Sequence, residues 1–274
     1  MDTGMFSNRE YASFLAYHFT RAIVRRPGPE LVRALSEGGT AAGIDPQAAA
    51  AQHEAYISTL NSLGVDVHVL PPEPDYPDAV FVEDTAVVLP GAVVITRPGA
   101  ASRRGETTRV ANAFRELAPG LEIIPMPDGL GTVDGGDILR LGECYYIGIS
   151  DRTNEPGGEW LTARAQERGC RGEFIPVSDS LHLTTVVTPL SPDTIIGTGD
   201  ILPLFPDDGI TKIEVAPGES AAGNVLVVNG TVIVPAGCPE TTAMLEKAGF
   251  KTVTVDVSQY ARADGALTCL SILW

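Results

Sequence analysis

Pairs of short apolar runs, each pair separated by a turn, recur along this chain. The pairs occupy residues 80–99, 132–150, 181–199 and 221–237. Apolar runs of this length, bounded by turn residues, predict strands joined as hairpins. Asn229-Gly230, in the fourth pair, is the strongest two-residue hairpin signal. The pattern therefore predicts at least four β-hairpins.

Helix patterns lie between the hairpins. Asp45 and Pro46 open the first as N-cap and first helical residue, and the pattern continues to Gly64. Similar patterns cover residues 103–118, 157–169 and 239–250, and the last two end at or near a glycine. A further short apolar strand follows each helix. The predicted repeating unit is strand, strand, helix, strand.

A fifth unit is predicted to be divided between the two ends of the chain. Residues 264–273 supply one strand and residues 22–25 its partner. Successive units are roughly 40 to 50 residues apart, a period at which propellers and repeat arrays are found. Joining the two ends would close a ring and leave no unit unpaired. Periodicity alone also allows an irregular α/β domain.

The length and composition predict one globular domain. No linker or low-complexity segment divides the 274 residues, so we expect a single catalytic domain over residues 1–274, with an N-terminal extension over about residues 1–20. The N-terminal residues lack the apolar stretch of a secretory signal. No later stretch approaches the roughly 18 apolar residues of a membrane span.

Charge and cysteine content disfavour several function classes. The formal net charge of −16 disfavours nucleic acid and anionic membranes as partners and is compatible with a small cationic substrate. The four cysteines have no CxxC spacing, which argues against a zinc ribbon and against a disulfide framework. We therefore expect a reduced, cytoplasmic protein.

Cys269 and His182 are the candidate thiol and imidazole of a catalytic site. Cys269 follows Asp264 and Gly265 in a predicted apolar strand, where a cysteine by itself is more often a small buried hydrophobe. His182 stands at the matching place in the third repeat, so the repeat would bring both to one axial pocket. Cysteine and histidine from distant sequence are the expected arrangement for thiol catalysis. The remaining cysteines and histidines are expected to be structural: Cys144, Cys170, Cys238, His18, His53 and His68.

Acidic residues stand at equivalent places in other repeats. Asp134 and Asp137, in VDGGD, either form only a turn or orient the histidine and support its charged form. Asp78, Glu83 and Asp84 flank an apolar strand, and at least one of them should point inward. Buried carboxylates need a partner, and a planar guanidinium with its five donors is the natural one.

Six stretches of the chain together resemble the dimethylarginine dimethylaminohydrolase family of guanidine-modifying enzymes. They are PDAVFVED, ITRPGAASRR, TVDGGDIL with the later ISDRTN, SDSLHLTT and DGALTC. The motifs occur in the family's order and at comparable spacing, and the resemblance extends from about residue 22 to residue 274. It implies the family's fold, a five-bladed α/β-propeller (pentein) of ββαβ repeats with pseudo-fivefold symmetry, closed by the N- and C-terminal strands.

The resemblance also implies roles for individual residues. Cys269 would be the nucleophile, His182 the general acid and base, and Asp134 the acid that orients the histidine. The implied substrate-binding residues are Asp78, Glu83 and Asp84 for the guanidinium, Arg97 and Arg152 for the α-carboxylate, Asp264 in the pocket and Leu35 on a mobile lid. Thr184-Thr185 stands where a member of the family has Lys-Ser, and the lid segment LSEGGTAAGID also differs in detail. These departures affect the expected selectivity and lid contacts, and not the chemistry.

The implied reaction is hydrolysis of Nω-methylated arginine to citrulline and methylamine or dimethylamine. It proceeds through a covalent thiouronium and needs no metal or organic cofactor. Because acids surround the thiol, its pKa should exceed its usual value of about 8.5 until the cationic substrate arrives. We therefore hypothesise that the substrate assists ionisation of the thiol.

Other functions and assembly states stay open at the level of sequence. An arginine deiminase has the same triad, but such enzymes are typically longer and carry a helical insertion that this chain lacks. An amidinotransferase would pass the same intermediate to an amine, and a non-catalytic propeller would only bind a partner. We expect a small cationic amino acid as ligand, no nucleic acid, no membrane, and a monomer or homodimer.

Overall fold

The computed structural model describes residues 17–36 and 39–274, in which short strands alternate with helices. The strands are β1 (Arg21–Arg25), β2 (Asp66–Leu70), β3 (Ala86–Leu89), β4 (Ala92–Ile95), β5 (Glu122–Pro125), β6 (Ile138–Leu141), β7 (Cys144–Ile149), β8 (Arg171–Pro176), β9 (Val187–Ser191), β10 (Thr194–Gly197), β11 (Thr211–Glu214), β12 (Leu226–Val228), β13 (Thr231–Pro235), β14 (Lys251–Val255) and β15 (Ile272–Leu273). The helices are α1 (Pro46–Ser62), α2 (Thr107–Leu117), α3 (Glu155–Gln166), α4 (Leu183–Val186), α5 (Pro239–Lys247) and α6 (Ser258–Ala261).

The strands form five three-stranded sheets of one design. Two strands make an antiparallel hairpin, and the third lies parallel to the middle strand. In the sheet of β3, β4 and β5, for example, Ala86 is opposite Ile95 across the hairpin, and Ala92 is opposite Glu122 across the parallel pair. A parallel neighbour needs a crossover connection, which the intervening helix supplies in most repeats. The predicted order of strand, strand, helix, strand is confirmed in these repeats.

The two ends of the chain complete the fifth sheet, as predicted. Strand β15 pairs antiparallel with β1, with Ala22 opposite Leu273, and β1 pairs parallel with β2. The strand expected over residues 264–273 is shorter than predicted, because Asp264 has a left-handed φ of 54° and Thr268–Leu270 forms a 3-10 turn. Cys269 therefore lies in a turn before the strand, and not inside it.

Apolar side chains fill the spaces between neighbouring sheets. Within the part of the chain that the structure describes, five buried clusters are present, and each draws side chains from two adjacent sheets. Ile23 of β1 packs with Val93 of β4 in one cluster, while Ile233 of β13 packs with Ala22 of β1 in another. The clusters thus link the five sheets into a closed ring, which confirms the ring predicted from the repeats and the five-bladed α/β-propeller that the family resemblance implies.

Local sequence signals account for the ends of several elements. Asp45 caps α1, and its side chain accepts hydrogen bonds from the backbone N–H groups of Gln47 and Ala48. Asn229 and Gly230 both have positive φ angles, 50° and 82°, as a two-residue hairpin of the type I′ class requires. These short-range signals explain why the predicted hairpins and helix starts agree with the structure.

The repeat between β10 and β11 departs from the predicted unit. Only a 3-10 turn, Leu202–Leu204, stands where the other repeats have a helix. Pro203 and Pro206 lie in this connection. A proline inside a helix removes a hydrogen bond and clashes with the preceding turn, so this segment cannot continue as an α-helix.

A short helical turn precedes the first strand of every sheet, and these turns meet at the centre of the ring. They are Val82–Thr85, Gly135–Asp137, Leu183–Val186, Ser220–Gly223 and Thr268–Leu270. Four of them carry or adjoin residues that the sequence singles out as chemical candidates. The ring geometry therefore brings these candidates together.

None of the helices within residues 17–36 and 39–274 has the length and apolarity needed to cross a membrane. The N-terminal extension expected over about residues 1–20 falls mostly outside the described residues. Its role in the domain stays a prediction.

His53 gives a testable link between pH and stability. Its side chain is completely buried in α1, neither ring nitrogen has a hydrogen-bond partner, and burial, with a smaller contribution from Arg26, lowers its pKa to about 4. The unfolded chain binds a proton at this site near pH 6.5 and the folded chain does not. Stability should therefore fall by roughly 3 kcal/mol as the pH drops from 6.5 to 4.

In the variant His53→Leu, the loss of stability between pH 6.5 and pH 4 should be smaller by this amount. The measurement is urea unfolding at pH 7, 5.5 and 4, compared between wild type and variant. The control is His68→Leu, which removes a histidine at an exposed position of β2. Parallel loss of stability in wild type and His53→Leu would contradict the prediction.

Candidate active site

A small pocket of about 30 Å³, here called the front pocket, opens at the centre of the ring. Its lining includes Cys269, His182, Asp134 and Asp84, which come from separate repeats. The volume has room for roughly one or two water molecules. The repeat geometry thus brings the predicted thiol and imidazole to one cavity.

His182 is held by the carboxylate of Asp134. The ring Nε2 lies 3.0 Å from Asp134 Oδ2 and 3.7 Å from Asp84 Oδ1. Asp134 is itself fixed, because its Oδ1 accepts a hydrogen bond from Gly99 N at 2.8 Å and its own N–H donates to Thr153 Oγ1 at 3.0 Å. The imidazole therefore has a defined orientation before any ligand binds.

The charge on His182 follows from the carboxylates around it. Burial by itself would lower the pKa of His182, but Asp84, Asp134 and Asp137 outweigh it and raise the pKa to about 9. The ring is consequently an imidazolium at neutral pH and can donate a proton. After it has donated that proton, the same ring can act as a base.

A second aspartate, Asp137, positions the segment that carries His182. Its Oδ1 accepts a hydrogen bond from Leu183 N at 3.0 Å, and its Oδ2 accepts one from Ser150 Oγ at 2.7 Å. Gly136 lies so close to the imidazole that a Cβ there would be 2.8 Å from the ring. In the VDGGD motif, Asp134 therefore binds the ring of His182, and Asp137 binds the backbone N–H of the next residue, Leu183. Gly136 leaves the space that the ring occupies.

Arg103 is the central cation of the acidic cluster. Its buried guanidinium forms ion pairs with Asp84 and with Glu106, and its Nη2 donates to the carbonyl oxygen of Phe81 at 2.8 Å. Burial alone would raise the pKa of Asp84, but His182 and Arg103 outweigh it and hold that pKa below its usual range. Arg103 thus keeps Asp84 ionised in the wall of the pocket.

Cys269 carries a neutral thiol in this environment. The residue is buried in the turn Thr268–Leu270, and burial, followed by the charges of Glu83 and Asp84, raises the pKa of its thiol well above the ordinary range. A thiolate is the nucleophilic form. A positive charge entering the front pocket would favour that form.

The residues at the rim of the front pocket differ in how far they are exposed to solvent. Asp78 is buried and accepts a hydrogen bond from Leu35 N at 2.9 Å, while the side chain of Leu35 is 43% exposed. Arg152 is half-buried, and Asp264 lines the pocket from the turn before Cys269. Movement of the Leu35 segment as a lid stays a prediction, and Glu37 and Gly38 within it lie outside the described residues.

Two predicted binding residues do not line the front pocket. The guanidinium of Arg97 lies 3.3 Å from Asp128 Oδ1 and donates to the carbonyl oxygen of Gly131 at 3.1 Å. Glu83 faces a different cavity, behind the turn that carries Cys269. The structure therefore brings together the other eight predicted site residues and leaves Arg97 and Glu83 outside this pocket.

Arg103 is not among the site residues predicted from the sequence, although it lies within the run ITRPGAASRR. The run offers three arginines, Arg97, Arg103 and Arg104, with the same chemistry. The sequence does contain an indication that Arg103 is the arginine of the acidic cluster. Glu106 follows Arg103 by three residues, a spacing at which opposite charges can pair on a helical turn. The signal is weak, since exposed pairs at this spacing are common.

Three groups in the front pocket could in principle hold a metal ion. Asp84, Asp134 and His182 each place one ligand atom within 4.8 Å of the others. Asp84 already binds Arg103 and accepts a hydrogen bond from Gly136 N, and Asp134 binds His182. These partners organise the groups as an acid–base and ion-pair network, which suits thiol chemistry on a planar cation.

Comparison with known proteins places this site in a family. Residues 39–196 match a family model described as N,N dimethylarginine dimethylhydrolase, eukaryotic. The N(G),N(G)-dimethylarginine dimethylaminohydrolase of Pseudomonas aeruginosa is 37% identical over 257 residues, which cover 93% of this chain and 99% of that protein.

Two solved structures are similar over almost the whole chain. One is the Pseudomonas aeruginosa enzyme of this family, a cysteine-to-serine mutant complexed with citrulline, with a TM-score of 0.89 and 34% identity over 94% of this chain and 100% of that one. The other is a histidine-to-glycine mutant of a dimethylarginine dimethylaminohydrolase, an adduct with S-methyl-L-thiocitrulline, with a TM-score of 0.87 and 35% identity over 93% and 100%.

The ionisation of Cys269 can be measured in the free protein. Because burial and neighbouring acids raise its thiol pKa, alkylation by an uncharged haloacetamide should be slow at neutral pH and accelerate only in the alkaline range. Mass spectrometry after digestion separates Cys269 from the other cysteines, and Cys269→Ser supplies the blank. An alkylation pKa near about 6, typical of a thiolate stabilised by a cation, would contradict the prediction.

Proposed function

This chain belongs to the dimethylarginine dimethylaminohydrolase family, and we propose that it hydrolyses Nω-methylated arginine to citrulline and methylamine or dimethylamine. The observation that carries the proposal is the convergence of Cys269, His182 and Asp134 on one acidic pocket. The family supports the reaction, and the pocket supports the kind of substrate. The proposed steps use only protein groups and water.

Substrate binding in this proposal follows charge complementarity. Asp78 and Asp84 accept hydrogen bonds from the planar guanidinium, beside Asp134 and below Cys269. Arg152, half-buried at the rim, pairs with the α-carboxylate, and Asp264 and Leu35 enclose the chain between them. Two or more charge-assisted hydrogen bonds orient the guanidinium carbon toward the sulfur, which supplies much of the entropic advantage of catalysis.

The substrate also supplies the charge that ionises the thiol. A positive charge about 4 Å from the sulfur is worth roughly 4 kcal/mol at an effective dielectric constant near 20. That energy lowers the thiol pKa by about 3. The thiol of Cys269 is therefore neutral in the free enzyme and becomes a thiolate when the guanidinium occupies the front pocket.

The first half-reaction forms a covalent intermediate. The thiolate of Cys269 attacks the guanidinium carbon and gives a neutral tetrahedral adduct. His182, an imidazolium at neutral pH because its pKa is about 9, donates its proton to the methylated nitrogen. The carbon–nitrogen bond breaks, the amine leaves, and a cationic thiouronium stays on the sulfur.

The second half-reaction regenerates the enzyme. His182, now neutral, removes a proton from water as the water oxygen attacks the thiouronium carbon. The tetrahedral adduct loses the sulfur and the hydroxyl proton, which gives the uncharged ureido group of citrulline and restores the thiol of Cys269. The released amine takes up the proton that left the thiol at the start, so the overall reaction consumes only water.

Substrate entry requires the rim to open. The front pocket holds about 30 Å³, which is less than an amino acid with a guanidinium needs. Leu35 is the exposed apolar residue at the rim, and its backbone N–H is tied to Asp78 in the described state. We propose that the segment around Leu35 moves outward for entry and closes over the bound substrate to exclude water.

Citrulline release from three substrates tests the proposed function. Asymmetric dimethylarginine, monomethylarginine and unmethylated arginine are compared at equal concentrations, with Cys269→Ser as the inactive reference. We expect both methylated substrates to react faster than arginine. Faster release from arginine would indicate a deiminase, a new guanidino product with an added amine would indicate an amidinotransferase, and absence of citrulline in all cases would indicate a binding protein.

Arg97 and Arg152, which the family resemblance assigns to the α-carboxylate, should differ in how much their substitution changes KM. Arg152→Leu should raise the KM for asymmetric dimethylarginine about 10- to 100-fold with a smaller change in kcat, because a charged hydrogen-bonded contact to the α-carboxylate is lost. Arg97→Leu should change KM by less than about two-fold, because the Arg97 guanidinium pairs with the fully exposed Asp128 outside the pocket. Equal increases in KM for both variants would contradict this assignment.

The remaining expectations stay predictions. The four cysteines are free, and their burial is compatible with the reducing, cytoplasmic location expected from the sequence. We propose a monomer or a homodimer. Size-exclusion chromatography with light scattering distinguishes these two states.

A further inference from the structure

A second cavity, here called the rear cavity, lies behind the wall of the front pocket. It has a volume of about 430 Å³, it reaches the surface where His18 and Gly91 are exposed, and it shares no lining residue with the front pocket. Mostly apolar strand residues line it. The two cavities are therefore separated by a wall at the centre of the ring.

The wall is made by the short turns that precede the first strands. Neighbouring or nearly neighbouring residues of one turn face opposite cavities, with the front residue given first: Asp84 and Glu83, Asp134 and Gly135, His182 and Thr184, Cys269 and Thr268. Among the described residues that line the rear cavity, Glu83 is the one with a side-chain carboxyl. Glu83 thus stands directly behind the reactive groups and has its own access to solvent.

Glu83 contacts the turn that carries the thiol. Its Oε2 accepts a hydrogen bond from Thr268 Oγ1 at 2.8 Å, and Thr268 Oγ1 accepts one from Asn224 Nδ2 at 3.0 Å. Asn224 also accepts a hydrogen bond from Thr268 N at 3.2 Å, so the turn before Cys269 has a fixed position. The Glu83 carboxyl is also within hydrogen-bond reach of the Cys269 thiol, which follows Thr268 in this turn.

The charges around Glu83 oppose its ionisation. Burial and then the charge of Asp84 raise the pKa of Glu83 to about 8, and hydrogen bonds from Thr268 and Cys269 and the charge of His182 offset only part of this. Tyr56, from α1, lies on the remaining side and bonds to Ser271 Oγ at 2.7 Å. Within residues 17–36 and 39–274, Glu83 has no ion-pair partner, whereas Asp84 has Arg103.

We propose that Glu83 acts as a neutral carboxylic acid that donates a hydrogen bond to the sulfur of Cys269, from the side opposite the substrate. The proposal rests on the proposed function, because it concerns the same thiolate. Glu83 is then a positioning residue for the nucleophile, and not a ligand of the guanidinium. Its hydrogen bond stabilises the thiolate in the same way that a neutral acid stabilises an oxyanion.

The protons balance in this arrangement. The free site holds one proton on the Cys269 sulfur and one on the Glu83 carboxyl, and substrate binding drives one of the two into the water of the rear cavity. The negative charge that results stays on the sulfur, because the sulfur lines the front pocket next to the guanidinium and Glu83 does not. The remaining proton is on the Glu83 carboxyl and forms the hydrogen bond to the sulfur of Cys269. Two interacting acids that share one proton titrate as a pair.

Charge neutrality keeps this proton on Glu83 during turnover. The guanidinium and the thiolate are adjacent opposite charges, so their combined field at Glu83 is small. The neighbouring anion Asp84 is still present and still opposes a second negative charge beside it. Above a pH of about 8 the carboxyl loses its proton, and the resulting anion repels the thiolate. Activity should fall in that range, before His182 loses its proton near pH 9.

The test compares wild type, Glu83→Gln and Glu83→Leu with asymmetric dimethylarginine from pH 6 to 10. Glutamine keeps an N–H donor for the sulfur and an oxygen for Thr268, but it cannot ionise. We expect Glu83→Gln to retain at least about a third of kcat at pH 7 and to move the alkaline fall in kcat from about 8 to about 9. Glu83→Leu should lower kcat about 10- to 100-fold, because the donor is lost.

Two outcomes would overturn the proposal. One is a loss of activity in Glu83→Gln as large as that in Glu83→Leu, which would mean that Glu83 works as an anion or base. The other is an alkaline fall that stays near pH 8 in Glu83→Gln. The control is Glu73→Gln. Glu73 is a buried carboxyl that pairs with Arg25 away from the site, so this substitution should leave the alkaline fall in kcat at its wild-type pH.

Alkylation of Cys269 by an uncharged haloacetamide separates this proposal from the proposed function, because it needs no turnover. In wild type, the Glu83 anion that forms in the alkaline range raises the thiol pKa. Glu83→Gln should therefore show a lower alkylation pKa than wild type. An unchanged alkylation pKa overturns the coupling of Glu83 to Cys269, even in a protein that releases no citrulline.

Discussion

The ion pairs of the buried guanidinium of Arg103 are the interaction on which the active site depends. Without it, Asp84 and Glu106 would lose their guanidinium partner in the protein interior, and breaking a buried ion pair by removing one partner typically costs about 3–5 kcal/mol. Arg103 also ties the carbonyl oxygen of Phe81 to the same point. One cation therefore holds the turn Val82–Thr85 and keeps Asp84 charged beside His182.

The ring fold explains why so many polar groups can meet in a small volume. Each repeat places a short turn before its first strand, and the apolar clusters between sheets hold the five turns at the centre. A turn exposes consecutive side chains to opposite sides, so one layer of backbone separates a front pocket from a rear cavity. In the proposed mechanism, the front face of this layer carries the reacting groups, and Glu83 on the rear face donates the hydrogen bond to the sulfur.

Electrostatics link the structure of the pocket to the kind of ligand that it fits. The site combines an imidazolium, several carboxylates and a thiol whose pKa is raised. Without a ligand, the acids disfavour a thiolate, so Cys269 is protected from uncharged electrophiles. A cation in the front pocket reverses that preference. In the proposed mechanism, activation of the thiol is thereby coupled to the charge of the substrate, which would contribute to specificity as well as to rate.

The sequence alone determined the repeat, the hairpins, most helices and the pairing of the chain ends, because these follow from local periodicity, capping and turn residues. It also indicated Cys269, His182 and Asp134, since the repeat placed them at equivalent positions and the family resemblance assigned their roles. Only the tertiary structure showed that Cys269 lies in a turn, and that the repeat with Pro203 has no helix.

The tertiary structure also decided between residues of identical chemistry. Arg103 enters the acidic cluster and Arg97 does not, although both lie in one short run. Asp84 faces the front pocket and Glu83 the rear cavity, although they are adjacent. Sequence patterns specify which residue types are near the centre, but the direction of each side chain depends on the backbone angles of a short turn and on packing between sheets that are distant in sequence.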